Sequence, residues 1–414
     1  MKLPQRTQRK KKPSASQLKG QYAGLTIEGL THDGRGVARI DGKAVFIRQA
    51  VPGDVVDIKI LQDENHYAEA KVVAWQEHST ASATPFCRYY GQCGGCSLQH
   101  ISLSAQRYWK QQNFFDQLCK TLDCRKLEKM PLVGFEHREY RRRARFVLGK
   151  DPKTKQACMG FRQADSHQII DIESCPILTP ALNKAYQQIR FDLLPLASRT
   201  DREIQLVEAA NGIWLDATAV GKPLTQGSPY YELNTLKLEF SPQGFIQVNA
   251  DVNQVLVSQA CQWLDLRPTS RVLDLFCGVG NFTLALAKQA AHVVGIEGNT
   301  EAVTYAKNNA QHNQLLNATF YQTDLFKPFD HQAWWRTEYD AVLLDPGRQG
   351  AQLVCQHLSQ INPTKIVYVS CNSVTLIRDL QLLETQGYRI TRAAIFDMFS
   401  HTSHFESLVL MEKR

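Results

Sequence analysis

Between Arg271 and Glu297 the chain runs through an apolar stretch, a glycine turn, a helix-compatible stretch and a second apolar stretch. This order leaves few folds open. Arg271-Val272-Leu273-Asp274-Leu275-Phe276 reads as a buried strand, and Cys277-Gly278-Val279-Gly280-Asn281-Phe282-Thr283 turns sharply into a helix from Leu284. The glycines let the backbone approach a ligand at the start of that helix. His292-Val293-Val294-Gly295-Ile296-Glu297 is then a second strand ending in an acid. That acid lies about twenty residues on, where such folds accept ribose hydroxyls.

The alternation continues in step. Residues 318–322 end near Asp324, residues 339–344 end at Asp345, and residues 366–370 end at Cys371. Each strand presents a polar side chain at its carboxyl end, which describes a doubly wound sheet with one ligand-binding edge. A dinucleotide site would carry the longer G-x-G-x-x-G, and the third glycine is absent. The phrase from Asp274 to Phe282 instead resembles motif I of the S-adenosylmethionine-dependent methyltransferases. The two last apolar runs, 390–396 and 405–411, are joined by a short loop, as in the methyltransferase fold whose seventh strand is antiparallel.

The 414 residues are enough for two or three domains. The net charge is +8, and residues 1–20 carry Lys2, Arg6, Arg9, Lys10, Lys11, Lys12 and Lys19 without an acid. Such a tail is solvated and is suited to contact nucleic acid. Residues 22–75 alternate in short runs broken by Asp33-Gly34, Asp41-Gly42 and Pro52-Gly53-Asp54, which predicts five strands in a small barrel of OB type. Its turn pattern resembles the TRAM domain of RNA-modifying enzymes. No apolar segment approaches membrane-spanning length and no signal peptide is evident, so a cytoplasmic location is expected.

Eleven cysteines are many for such a chain. Cys87, Cys93 and Cys96 form C-x5-C-x2-C on a loop holding Gly91, Gly94 and Gly95, and Cys175 precedes a proline. The spacing suits an iron-sulfur cluster, with a structural zinc site as the competing reading. Cys119, Cys124, Cys158, Cys261, Cys277 and Cys355 have no such spacing and read as buried or incidental. On a strand over 139–148, Arg141, Arg143 and Arg145 would share one face, a concentration of like charge that suits an RNA backbone.

The acceptor follows from what surrounds Cys371. Asp345-Pro346-Gly347-Arg348 stands where amino-group methyltransferases carry an aromatic residue after proline, and none is present. C5 of uracil becomes nucleophilic once a thiolate adds at C6, which gives Cys371 a task at the sheet edge. The C5 proton must then be removed, and Glu406 at the start of the last strand is the candidate base. His401, His404 and Glu406 could by spacing hold a metal, but a thiolate mechanism leaves such a metal without a function. A cytosine-5 methyltransferase would place a Pro-Cys pair on the Asp345 loop, which is missing. A non-catalytic iron-sulfur RNA-binding protein is the alternative from another class.

Together, Cys87, Cys93, Cys96, Cys175, motif I, the Asp345 loop, Ser370-Cys371-Asn372 and His404-Phe405-Glu406-Ser407 resemble the RNA uracil-5-methyltransferase family (RumA/TrmA) over nearly the whole chain. The barrel and four cysteines look like its branch acting on a uridine of 23S ribosomal RNA. The resemblance implies a 4Fe-4S cluster on the four cysteines, Cys371 as nucleophile and Glu406 as proton acceptor. It also implies S-adenosylmethionine contacts from Gln247, Phe276, Asn281, Glu297, Asp324 and Asp345. Gly347 departs from the family, which often has Pro or Ala there, and is expected to loosen the loop. The expected architecture is α/β plus all-β. A basic tail over 1–20 precedes an OB-like TRAM barrel over 21–76, a central iron-sulfur and RNA-binding region over 77–242 and a Rossmann-like methyltransferase domain over 243–414, in a monomer.

Overall fold

The computed structural model describes residues 18–136, 138–164, 166–222 and 224–414. Of the basic tail, residues 1–17 lie outside the described residues. The chain divides into two units, one of residues 1–84 with 100–102 and one of residues 85–99 with 103–414.

In the first unit six strands form one sheet in the order Gln21–Thr26, Val55–Asp63, Tyr67–Glu77, Lys43–Arg48, Gly36–Ile40, Gly29–Leu30. The alternation seen in the sequence places Ala38, Val45, Ile47, Val56, Ile58, Ala68 and Ala70 in a single core. The sixth strand, Gly29–Leu30, is additional to the five expected and pairs with Gly36–Ile40. Asp54 is fully buried, and its carboxylate accepts from the N–H groups of Val51 (2.8 Å) and Ser79 (2.7 Å). It thereby fixes the turn that opens the longest hairpin.

The second unit begins with a five-stranded antiparallel sheet in the order Ile169–Asp171, Ala157–Arg162, Arg143–Lys150, Arg202–Ala209, Gly212–Asp216. The helix Pro180–Leu193 starts with Thr179 as its cap and Pro180 in its first turn, and Leu182 and Tyr186 pack on Phe146, Leu148, Ile204 and Leu206. Tyr186 stacks on Phe146 at 4.1 Å between ring centroids.

This region is not an iron-sulfur domain, which corrects the expectation for Cys87, Cys93, Cys96 and Cys175. Among the described residues no three His, Cys, Asp or Glu side chains gather in a group able to hold a metal. The four cysteines are free thiols in one neighbourhood, and their loops are organised by hydrogen bonds of the protein itself. Cys87 N–H donates to Gln99 Oε1 (3.1 Å), Cys93 N–H to the Tyr89 carbonyl (2.9 Å) and Cys175 N–H to Asn183 Oδ1 (2.9 Å). Burial pushes the Cys96 thiol up to about 12 and that of Cys175 up to about 11. Cys119 and Cys124, read as incidental, form a disulfide with Cα atoms 5.4 Å apart. Cys158, Cys261, Cys277 and Cys355 are buried.

The remaining sheet has eight strands in the order Ala318–Gln322, His292–Glu297, Arg271–Leu275, Ala341–Leu344, Lys365–Ser370, Glu406–Lys413, Tyr388–Phe396, Glu128–Lys129. The first five are parallel, and Glu406–Lys413 is antiparallel to both of its neighbours. Period-two alternation sends Val272, Val293, Leu343, Val367 and Val369 to one face and Leu273, Val294, Val342, Leu344, Ile366 and Tyr368 to the other. The first face is covered by the helices Ala250–Leu264 and Thr300–His312. The helices Leu103–Thr121, Gln352–His357 and Ser373–Thr385 cover the second. Strand order reverses between Arg271–Leu275 and Ala341–Leu344, and a ligand crevice opens at such a point. Among the described residues no helix is long and apolar enough to cross a membrane.

A side chain at Gly295 would collide with this packing, because a Cβ there falls 2.6 Å from Phe320 Cδ1 and 3.0 Å from Cys277 Sγ. Gly295→Ala is expected to lower unfolding free energy by about 1–3 kcal/mol, measured by urea denaturation. An unchanged midpoint would contradict the tight contact.

Candidate active site

The antiparallel ladder between Lys365–Ser370 and Glu406–Lys413 pairs Ser370 with Ser407. Carried one step further, the same register sets Cys371 opposite Glu406, so two residues far apart in sequence become neighbours through backbone pairing. Ser407 Oγ donates to the Ser370 carbonyl at 2.8 Å and locks that end of the ladder. Asn372 then caps the helix Ser373–Thr385, accepting from Val374 N–H at 3.1 Å, which ends the strand immediately after the cysteine.

The loop after Ala341–Leu344 folds over this pair. The Arg348 carbonyl accepts from Asn372 Nδ2 (3.0 Å) and Thr375 Oγ1 (3.2 Å), tying Asp345-Pro346-Gly347-Arg348 to the turn that holds Cys371. Gly347 has open space where a Cβ would stand. The loop is tied down next to Gly347 through the Arg348 carbonyl.

The electrostatics of the cluster follow from its burial. The Cys371 thiol is half-buried and pushed up to about 11, first by desolvation and then by Glu406 and Asp345, with Arg348 pulling the other way. Burial lifts the Glu406 carboxyl well above the ordinary range, Asp345 adds to the effect and Arg348 opposes it. Asp345 is pushed up to about 7 by burial and by Glu297. Burial and the neighbouring acids thus favour the uncharged forms of both the thiol and the Glu406 carboxyl. Arg348, not singled out in the sequence, is the cation common to both groups.

Glu406 is approached through a turn held from elsewhere in the unit. Asp397 is buried, and its carboxylate accepts from Lys110 Nζ (2.7 Å), Arg107 Nε (3.0 Å) and Ser400 Oγ (2.8 Å). Gln106 Oε1 accepts from His401 N–H at 3.1 Å, and His401 has a left-handed backbone with φ of 65°. Gln106, Arg107 and Lys110 all lie on the helix Leu103–Thr121. His401 is buried in this support and His404 is exposed, so the two do not gather with Glu406 as metal ligands.

Phe276, Asn281, Glu297, Asp324 and Asp345 lie at or just beyond the carboxyl ends of adjacent strands. Phe276 adopts φ of 67°, an uncommon conformation for an aromatic residue, and Gly278 N–H donates to Glu297 Oε2 at 3.1 Å. Asn281 pairs reciprocally with the Asn253 amide (3.0 and 3.1 Å) and accepts from the Tyr231 hydroxyl (3.0 Å). Asp324 is drawn aside by Lys327 (3.1 Å), while Phe326 reaches to 5.8 Å from the Phe276 ring. Buried carboxyls that raise one another favour a cationic occupant, and this edge fits a ligand bearing a sulfonium and an ammonium.

The arginines divide differently from the expectation. Arg141 precedes the strand and donates to the Arg143 carbonyl (2.9 Å); Arg143 is spent on the Gly244 and Gln243 carbonyls and on Gln205; Arg145 is exposed near Glu203 (3.6 Å). The structure does not set them out as an open row. Arg142, passed over in the sequence, is buried, with Nε donating to the Gln247 carbonyl (2.8 Å) and its guanidinium 4.9 Å from the Tyr231 ring centroid. Its Nη2 is buried without a hydrogen-bond partner. The available signal was its phase, since Arg142 shares the core-facing parity of Ala144 and Phe146.

The sequence profile of the family described as tRNA (Uracil-5-)-methyltransferase matches residues 232–414, and that of the TRAM domain matches residues 17–73. The chain is 39% identical to the 23S rRNA (uracil(1939)-C(5))-methyltransferase RlmD of Vibrio parahaemolyticus, over 96% of this chain and 98% of that one. It is 37% identical to the protein of the same name from Aeromonas hydrophila, over 97% and 99%. Among solved structures it is similar in fold to the Pyrococcus abyssi tRNA (uracil-54, C5)-methyltransferase in complex with S-adenosyl-L-homocysteine. That likeness has a TM-score of 0.72 at 21% identity and covers 94% of this chain and 99% of that one.

Gly347→Ala meets no atom and requires no left-handed backbone, so it is expected to leave stability unchanged or raise it by about 0.4–1 kcal/mol through the unfolded chain. Thermal unfolding checks this, and a lowered midpoint would count against the open space. Alkylation of Cys371 should rise with pH through about 11, because deprotonation is disfavoured until then; a plateau already reached at pH 8 would contradict the buried, acid-flanked thiol.

Proposed function

Because this chain belongs to the RNA uracil-5-methyltransferase family, we propose that it methylates C5 of a uridine in 23S ribosomal RNA through a covalent adduct of Cys371 with C6. The observation that carries this reading is the Cys371–Glu406 juxtaposition at the carboxyl edge of the doubly wound sheet. S-adenosylmethionine supplies the methyl group. Its positive charge suits the acidic edge, where Phe276, Asn281, Glu297, Asp324 and Asp345 would hold it, with Gln247 on the segment anchored by Arg142.

A uridine flipped from its stack enters beside Cys371. The thiolate forms a bond to C6 and electrons pass to the C4 carbonyl; C5 then takes the methyl group. Glu406 accepts the C5 proton, the C6–S bond breaks and the thiolate is restored. Before they react, the thiol and the Glu406 carboxyl must each release a proton to solvent, and a cation placed against Asp345 offsets the burial that disfavours both ionised forms.

The tail over 1–20, the barrel over 21–76 and the central region over 77–242 serve RNA binding, where Arg145 is the exposed arginine while Arg141 and Arg143 are engaged within the protein, and residues 243–414 carry the chemistry. The similarity of the first unit to TRAM domains supports the RNA role. The protein acts as a monomer in the cytoplasm.

With S-adenosylmethionine and a ribosomal RNA fragment containing 5-fluorouridine, the protein should form a covalent methylated adduct on a denaturing gel, because fluorine does not leave as a proton does. Cys371→Ala should abolish it. Glu406→Gln should accumulate adduct on ordinary uridine, since addition and methylation precede the blocked proton removal. Methylation of ordinary RNA without any adduct would sink the covalent mechanism.

Cofactor affinity should rise from pH 6 to pH 8, because an Asp345 carboxyl lifted to about 7 must ionise to face the cation. Calorimetry in buffers of different ionisation enthalpy should detect proton release, and a flat profile would remove Asp345 from the contact.

A further inference from the structure

The helix that follows Cys371 carries a buried charge the reaction does not use. Asp379 is fully buried among apolar side chains on the inner face of Ser373–Thr385. Its Oδ2 accepts from the Tyr368 hydroxyl at 2.7 Å and from the Ala351 N–H at 2.6 Å, and its Oδ1 accepts from Arg378 Nε at 2.8 Å. Tyr368 belongs to the strand that delivers Cys371, and Ala351 ends the loop that begins at Asp345. Arg378 reaches on to the Gln349 carbonyl at 3.0 Å.

One carboxylate thus joins the nucleophile's strand, the nucleophile's helix and the facing loop. The loop closes tightly on it. Gly350 has φ of 75°, and a Cβ there would fall 2.6 Å from both Arg378 Nη2 and Asp379 Oδ2. A buried carboxylate in an ion pair rarely adds stability over apolar packing of the same volume, and in some proteins such a group selects one geometry. An apolar residue at 379 would also strip two buried donors of this acceptor.

We propose that Asp379 is a positioning residue that fixes the 345–351 loop, and with it Arg348, against Cys371. The charged and titratable groups facing the thiol are Glu406 from the last strand and Asp345 and Arg348 from this loop. Asp345 is held separately, its N–H donating to the Leu275 carbonyl at 3.2 Å at the strand end. Arg348, further along, is held at its carbonyl by Asn372 and Thr375, and the clamp secures Gln349 and Ala351 that follow it. Releasing the clamp loosens the end of the loop that carries Arg348 and leaves both acids in place.

The inference rests on Cys371 being the nucleophile, but its test needs neither RNA nor cofactor. In full-length Asp379→Asn and Tyr368→Phe, iodoacetamide alkylation of Cys371 is followed against pH by peptide mass spectrometry, with urea unfolding alongside. The asparagine variant should remain folded, with the alkylation midpoint moved upward and the rate at pH 9 several-fold lower. The phenylalanine variant, which loses one hydroxyl, should shift in the same direction by less. Methylation turnover in the asparagine variant should fall about ten- to a hundredfold with KM for S-adenosylmethionine unchanged, as small misplacements of reacting groups do. An alkylation profile superimposed on the wild type in a folded asparagine variant would overturn the proposal. Should that variant not fold, the phenylalanine profile decides in the same way. A wild-type protein inactive on every ribosomal RNA tested would remove the functional reading and leave the alkylation result standing.

Discussion

The site depends on one backbone pairing, the antiparallel ladder in which Ser370 lies opposite Ser407. A shift of one residue would place Cys371 against Phe405 and turn every side chain of Glu406–Lys413 to the wrong face. That strand is buried on both sides, so the register is specified by packing as well as by hydrogen bonds. The reactive geometry is therefore no weaker than the core itself.

What the pairing brings together is electrically unfavourable. Asp345 lies near both Glu406 and Glu297 in a poorly hydrated edge, and burial favours the protonated form of the Cys371 thiol beside them. Positive charge placed at this edge eases ionisation there. Arg348 provides a fraction of that charge permanently, which makes the path of its loop a matter of chemistry as well as of folding.

The sheet was legible because five of its strands are apolar runs ending in polar residues, and buried parallel strands have few other ways to be written. Cys371 and Glu406 could be singled out one by one, but their opposition could not be read until the ladder fixed which residue faces which. The cysteine loop shows the converse. The spacing of Cys87, Cys93 and Cys96 is suggestive, yet spacing along a chain does not fix what the thiols do together, and here hydrogen bonds donated by the cysteine N–H groups to the Gln99 and Asn183 side chains and the Tyr89 carbonyl shape those loops. The arginines were misjudged in phase. Odd positions drew notice as a charged face, while Arg142 at an even position was the one taken into the interior, where a charge is least expected.

The turn before Glu406 is supported by Gln106, Arg107 and Lys110, side chains placed almost 300 residues earlier. A fragment beginning at residue 243 would contain all but the Glu128–Lys129 strand of the eight-stranded sheet, with Cys371 and Glu406, but Asp397 would be left in the interior without its two cations. Cys371 and Glu406 lie in the last fifth of the chain, whereas the turn before Glu406 takes its support from a helix about a quarter of the way along it. Evolution or engineering that exchanges the RNA-facing part of such a protein is thereby constrained to carry this one helix along with the catalytic half.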